Sequence, residues 1–108
     1  MRVDVIQFSE IGLCRVDLVH VADNDAERWL VFFLSPRGPR IDTLSRVLRR
    51  AGGHFMNLDG QLGLAYEDPR AAHDAFGLLI DTIGLEAGAQ RTTHSPLIEP
   101  GDPIRALN

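Results

Sequence analysis

An antiparallel sheet carrying helices, an α+β domain, is the expectation for this chain, and three stretches carry it. Trp29–Leu34, WLVFFL, is apolar throughout; as a strand it presents Trp29, Val31 and Phe33 to one side and Leu30, Phe32 and Leu34 to the other. A strand apolar on both sides belongs in the middle of a covered sheet. Ile41–Ala51 repeats apolar residues at helical spacing and runs into Gly52-Gly53. Asp59-Gly60 between two short runs is a strong hairpin signal, and Asp68-Pro69 then opens a second helical stretch.

Taken in order, Val3–Phe8 is short and rich in β-branched and aromatic residues, which predicts a strand. Leu13–Val21 fits two patterns. Cys14, Val16, Leu18 and His20 alternate as in a half-buried strand, whereas Ile11, Cys14, Leu18 and Val21 fit a helical face with Ser9 as N-cap. Gly12 and the β-branched Val16, Val19 and Val21 favour the strand. Ala22–Glu27, ADNDAE, then reads as a polar hairpin connection into the central strand.

SPRGPR follows Leu34 as a stiff, basic loop, with Pro39 suited to the first turn of a helix. Ile41, Leu44, Val47, Leu48 and Ala51 predict its buried stripe, and Asp42 and Arg46 fall one turn apart on the other face. Arg49 and Arg50 suit the exposed carbonyls of the last turn.

Across Asp59-Gly60 a two-residue turn sets Leu58 opposite Gln61, Asn57 opposite Leu62 and Phe55 opposite Leu64. Phe55, Asn57, Leu62, Leu64 and Tyr66 then share the side expected to meet the helices, leaving Met56 and Leu58 exposed on the other. Asp68 can cap the second helix, whose stripe is Ala72, Phe76, Leu79 and Ile83 and whose stop is Gly84. Gln90–His94 predicts an edge strand. The division is one domain over residues 1–95 and an extended, proline-containing tail over residues 96–108, with a turn at Pro100-Gly101 and apolar residues Leu97, Ile98, Ile104 and Leu107.

At 108 residues, 44% apolar and 24% charged, the chain has the composition of one ordinary globular domain. It holds no apolar run near the roughly 20 residues that span a bilayer, and its first residues lack a signal-peptide pattern. The single Cys14 suits a reducing cytoplasm, the compartment expected. Charge is segregated. Residues 1–27 hold two Arg and six acids, residues 28–50 six Arg and only Asp42, and residues 51–108 three Arg and eight acids. The overall −4 argues against broad nucleic-acid affinity, while the basic middle suits an acidic partner or a small anion.

Trp29–Gly84 reads strand, helix, hairpin, helix, and resembles the central part of a ferredoxin-like α/β sandwich with two helices on one face of the sheet, here with extra N-terminal strands. Within it Arg28–Leu58, RWLVFFLSPRGPRIDTLSRVLRRAGGHFMNL, resembles an ACT-type regulatory domain. That resemblance implies a regulatory unit in which Gly38 takes the loop position where such domains receive amino acids, although Pro36-Arg37-Gly38-Pro39 reorders the usual loop. Gly63–Leu79, GLAYEDPRAAHDAFGLL, looks like the third strand and second helix of an RNA-recognition motif. With Tyr66 as its last aromatic, the basic position falls on Asp59 and the stacking positions on Gln61 and Gly63, which removes the usual chemistry for RNA.

No catalytic constellation, cofactor motif or metal-ligand spacing stands out. His20, His54, His73 and His94 are not spaced as ligands with one another or with Cys14. Asp23, Asp25 and Glu27 alternate like the opening of a calcium loop but lack its glycine and distal acid. No serine sits in a nucleophile elbow, and no glycine run forms a phosphate loop. The expectation is therefore a non-enzymatic module, without metal or cofactor, that regulates or inhibits another protein by binding it. Arg37, Gly38, Arg40, Arg46, Arg49 and Arg50 are its candidate partner- or anion-binding residues. The alternative is ACT-like sensing of an amino acid or anion near Arg37, Gly38 and Arg40, where the helix start favours negative charge, and RNA binding is a distant third. A homodimer formed through edge strands and the exposed Met56 and Leu58 is compatible with either reading.

Overall fold

The computed structural model describes residues 1–38, 40–87 and 91–94 and shows an α+β arrangement. In chain order its elements are β1 (Arg2–Ile11), β2 (Cys14–Asp23), β3 (Ala26–Leu34), α1 (Ile41–Ala51), β4 (His54–Leu58), β5 (Gln61–Tyr66), α2 (Pro69–Ala87) and β6 (Arg91–His94). The six strands form one sheet in the order β4-β5-β3-β2-β1-β6, antiparallel at every junction.

The first three strands form a meander with two-residue turns. Ile11 pairs with Cys14 around Gly12-Leu13, and Asp23 pairs with Ala26 around Asn24-Asp25. The left-handed backbone of Gly12 (φ 60°) and Asn24 (φ 53°) makes both reversals compact. Ala22, Asp23, Ala26 and Glu27 are thus strand residues rather than a loop, because cross-strand pairing continues to the turn. Leu13–Val21 resolves as strand, and β1 is longer at both ends than its apolar run suggested. β3 pairs with β2 on one side and β5 on the other, which puts WLVFFL inside the sheet.

α1 starts after Arg40, which makes no side-chain cap, and ends where the Gly52 N–H donates to the Leu48 carbonyl at 2.8 Å with Gly52 at φ 73°. Leu44 and Val47 are fully buried and Leu48 and Ala51 pack beside them, but Ile41 is 59% exposed. Its place in the first turn carries it past the edge of the core, and Thr43 is buried there instead. Pro39 lies outside the described residues.

The second hairpin has the expected register, Leu58 with Gln61 through His54 with Ala65. Asp59 (φ 51°) and Gly60 (φ 83°) both take positive φ, as a type I′ turn requires. The Gly60 N–H also donates to the Asn57 side-chain oxygen at 3.0 Å. α2 opens with the Asp68 carboxylate accepting from the backbone N–H groups of Arg70 and Ala71, both at 3.3 Å. Gly84 does not stop it. The helix runs to Ala87, since Gly84 keeps helical backbone and lacks the positive φ of a terminating glycine. α2 then leads to β6, the predicted edge strand, which pairs with β1. Gln90 and the predicted tail, with Pro100-Gly101 and its four apolar residues, lie outside the described residues.

Strand alternation sorts the interior into two clusters. The larger joins Val16, Leu18, Val31, Phe33, Leu64 and Tyr66 to Leu44 and Val47 of α1 and to Ala72, Ala75, Phe76, Leu79, Ile80 and Ile83 of α2. The smaller comprises Val19, Leu30, Phe32 and Ala65, with Val21, Met56 and Leu58 packed against it, and contains no helical residue. Met56 and Leu58 are accordingly half-buried rather than exposed, because they close the margin of the second cluster; Phe55 is the exposed apolar residue of β4, at 42%.

Candidate interaction surfaces

The six candidate residues separate into two places, one in the loop before α1 and one along its second half. Between β3 and α1 the chain reverses tightly: the Gly38 N–H donates to the Ser35 carbonyl at 3.0 Å and the Arg37 N–H to Ser35 Oγ at 3.2 Å. Gly38 stands at φ 86°, a conformation that suits glycine. This turn sets Arg37 and Arg40 along one cleft of about 500 Å³, together with Leu13, Cys14, Phe33, Ser35, Pro36 and Ile83. Arg40 Nε lies 3.7 Å from Asp42 Oδ1. The cleft thus sets two guanidinium groups beside apolar walls. Leu13, 87% exposed at the tip of the β1–β2 turn, stands at the rim.

Arg46, Arg49 and Arg50 instead line a groove of about 340 Å³ with Leu78 and Thr82 of α2. Positions 46, 49 and 50 share one helical face, which α1 turns outward while Leu44 and Val47 face the core. All three arginines are exposed. Thr82 Oγ1 donates back to the Leu78 carbonyl at 2.7 Å, so this side chain is held against its own helix. The groove presents three cations over a short apolar strip.

A third cleft, about 240 Å³, opens beside the smaller cluster and is lined by Met1, Val21, Asp23, Ala26, Arg28, Leu30, Met56 and Leu58. Arg28, the first residue of the basic stretch, belongs here rather than with the other arginines. Arg15 occupies another part of the sheet: Nε is 2.6 Å from Asp17 Oδ1 and the guanidinium lies 4.0 Å over the Phe8 ring.

Two buried polar atoms flank Trp29. The His20 ring stacks on the indole at 5.1 Å, its Nε2 has no hydrogen-bond partner, and Glu27 Oε1 is 3.9 Å away. Tyr66 pairs with Trp29 from the other side; its hydroxyl is buried without a partner, and burial pushes its pKa up to about 12. His54 and His73 are exposed. Among the described residues no three His, Cys, Asp or Glu side chains are gathered as a metal site would need. Nor is any described helix long and apolar enough to cross a membrane.

Leu13, Phe33 and Ile83 at the first cleft, and Leu78 and Thr82 at the second, escape sequence reasoning because they come from distant elements. Leu13 alone carries a local signal, an apolar residue in a tight turn. No protein-family model, curated protein or solved structure matches the chain.

Proposed function

We propose that this chain is a non-catalytic interaction module that regulates or inhibits another protein by binding it, with the groove of Arg46, Arg49 and Arg50 as the contact surface. The observation that carries the reading is this concentration of three exposed guanidinium groups on one groove of a protein whose net charge is −4. Such a patch steers an acidic surface into register, and the exposed forks of Arg49 and Arg50 can then each hold a carboxylate in two bonds. Leu78 offers an apolar contact that distinguishes a protein partner from a bare anion. In this reading both helices cover one face of the sheet in a ferredoxin-like manner, with β2 alongside β3 and β6 displaced to β1, and the module works in the cytoplasm.

Charge reversal at all three arginines tests it. R46E/R49E/R50E is expected to lose a partner captured by the native protein from its own cell, and capture by the native protein is expected to weaken with added salt. Recovery of the same partner by the variant would remove the groove from consideration.

A second reading, small-ligand sensing, is favoured by the cleft that brings Arg37 and Arg40 together. A carboxylate ligand there at 100 times its dissociation constant raises stability by about 2.7 kcal/mol, visible as a thermal shift that R37A/R40A abolishes. Unchanged melting across amino acids and small carboxylates would dismiss it.

A further inference from the structure

We infer that the outer edge of β4 is a docking strand for a second copy of this chain, paired antiparallel about a two-fold axis through Met56. β4 ends the sheet, and among the described residues no strand pairs with its outer edge. The hydrogen-bond parity of that edge follows from the hairpin. In a type I′ turn the Leu58 carbonyl accepts from the Gln61 N–H, so Leu58, Met56 and His54 spend their backbone groups on β5. The N–H and C=O groups of Phe55 and Asn57 therefore point outward, two donors and two acceptors that another extended backbone can satisfy.

These groups are self-complementary. With Met56 on the axis, Phe55 of one copy faces Asn57 of the other, and the two such pairs exchange four hydrogen bonds. Nothing on the strand opposes this. β4 has no proline, no bulge and no acid, and its only titratable side chain is His54, which falls opposite Leu58 of the second copy. The apolar packing is also continuous across the junction. Met56 and Leu58 already pack against the smaller cluster, so two copies extend one apolar surface, while Phe55, 42% exposed, gains a neighbour on the other side. An isologous contact of this kind closes as a dimer, since each copy offers one such edge.

The test uses the full chain. Sedimentation equilibrium is expected to show a monomer–dimer equilibrium. N57P removes one outward N–H at an edge position where proline is tolerated, and is expected to be monomeric with an unchanged far-ultraviolet spectrum. In a C14S background, M56C is expected to form a reducible covalent dimer, because facing residues of a non-hydrogen-bonded pair lie about 4.5 Å apart between Cα atoms. L58C is not, since its two copies stand four residues apart along the strands, about 14 Å. A monomer at every concentration overturns the inference, as does a dimer that survives N57P. Equal cross-linking of M56C and L58C, or none by M56C, also overturns it, and this readout decides the matter if N57P fails to fold.

Discussion

The Phe32 ring occupies the space above Gly63 that a side chain would fill. The two residues pair across β3 and β5, and a Cβ at Gly63 would stand 2.7 Å from the ring's Cδ1 and 2.5 Å from the Val31 carbonyl oxygen. The missing side chain lets an aromatic ring lie down on the sheet, consistent with Phe32 being only 4% exposed. Gly63→Ala is therefore expected to cost about 1–3 kcal/mol, as overpacked cores do, and urea unfolding should show it as a lower midpoint with little change in slope.

Gly52 and Gly53 both have positive φ but stand in different surroundings. Nothing lies within 4 Å of a Cβ at Gly52, whereas one at Gly53 would meet the Tyr66 ring at 2.6 Å and the Ala65 carbonyl oxygen at 2.9 Å. Gly52→Ala should lose about 1–3 kcal/mol through backbone conformation alone, since φ 73° with ψ −157° is a conformation only glycine adopts readily. Gly53→Ala should lose more, and thermal unfolding of the pair separates the steric part from the conformational part.

Tyr66→Phe is expected to stabilise the fold by about 1 kcal/mol, since it removes a buried hydroxyl that has no partner. Tyr66 is the chain's single tyrosine, so its ultraviolet titration is clean. The folded protein holds the proton up to about pH 12, while the unfolded chain releases it near pH 10. Between these values the native state binds more protons, so stability falls as pH rises through that window. Tyr66→Phe should show a shallower alkaline decline.

Asp68→Ala withdraws the carboxylate that receives the N–H groups of Arg70 and Ala71. Loss of such a cap costs about 0.5–2 kcal/mol, and the length of both bonds places the expectation at the lower end. Denaturant melts measure it directly, with Asp68→Asn restoring most of the loss.

Ile41→Glu should be nearly neutral, within about 0.5 kcal/mol, because Ile41 stands in solvent. A loss of several kcal/mol would mean that Ile41 packs in solution as its place in the helical stripe suggests.

Features governed by neighbours in sequence were legible before the fold was known. Asp59-Gly60 specifies a turn through the φ values its two residues accept, and that turn fixes the register of β4 on β5 down to Phe55 opposite Leu64. Asp68-Pro69 marks a helix start for similarly local reasons. Gly84 misleads because glycine can end a helix but does not have to; apolar residues on both sides of it, Ile83 buried among them, favour continuing. Ile41, Met56 and Leu58 depart from the exposure their spacing predicts because periodicity gives a direction but not the distance to the core's edge.

The two-sided character of WLVFFL, the helical stripes and the segregation of charge all belong to the sequence itself, since each depends on the order of side chains along one element. Only the tertiary structure set β2 beside β3 and β6 beside β1, divided Arg37 and Arg40 from Arg46, Arg49 and Arg50, and left β4 at the edge. Those outcomes depend on which strands pair and where α1 lies against α2. Backbone hydrogen bonds are alike for every strand, so strand order is decided by how the whole set of apolar faces can be buried together, a quantity that no single stretch encodes.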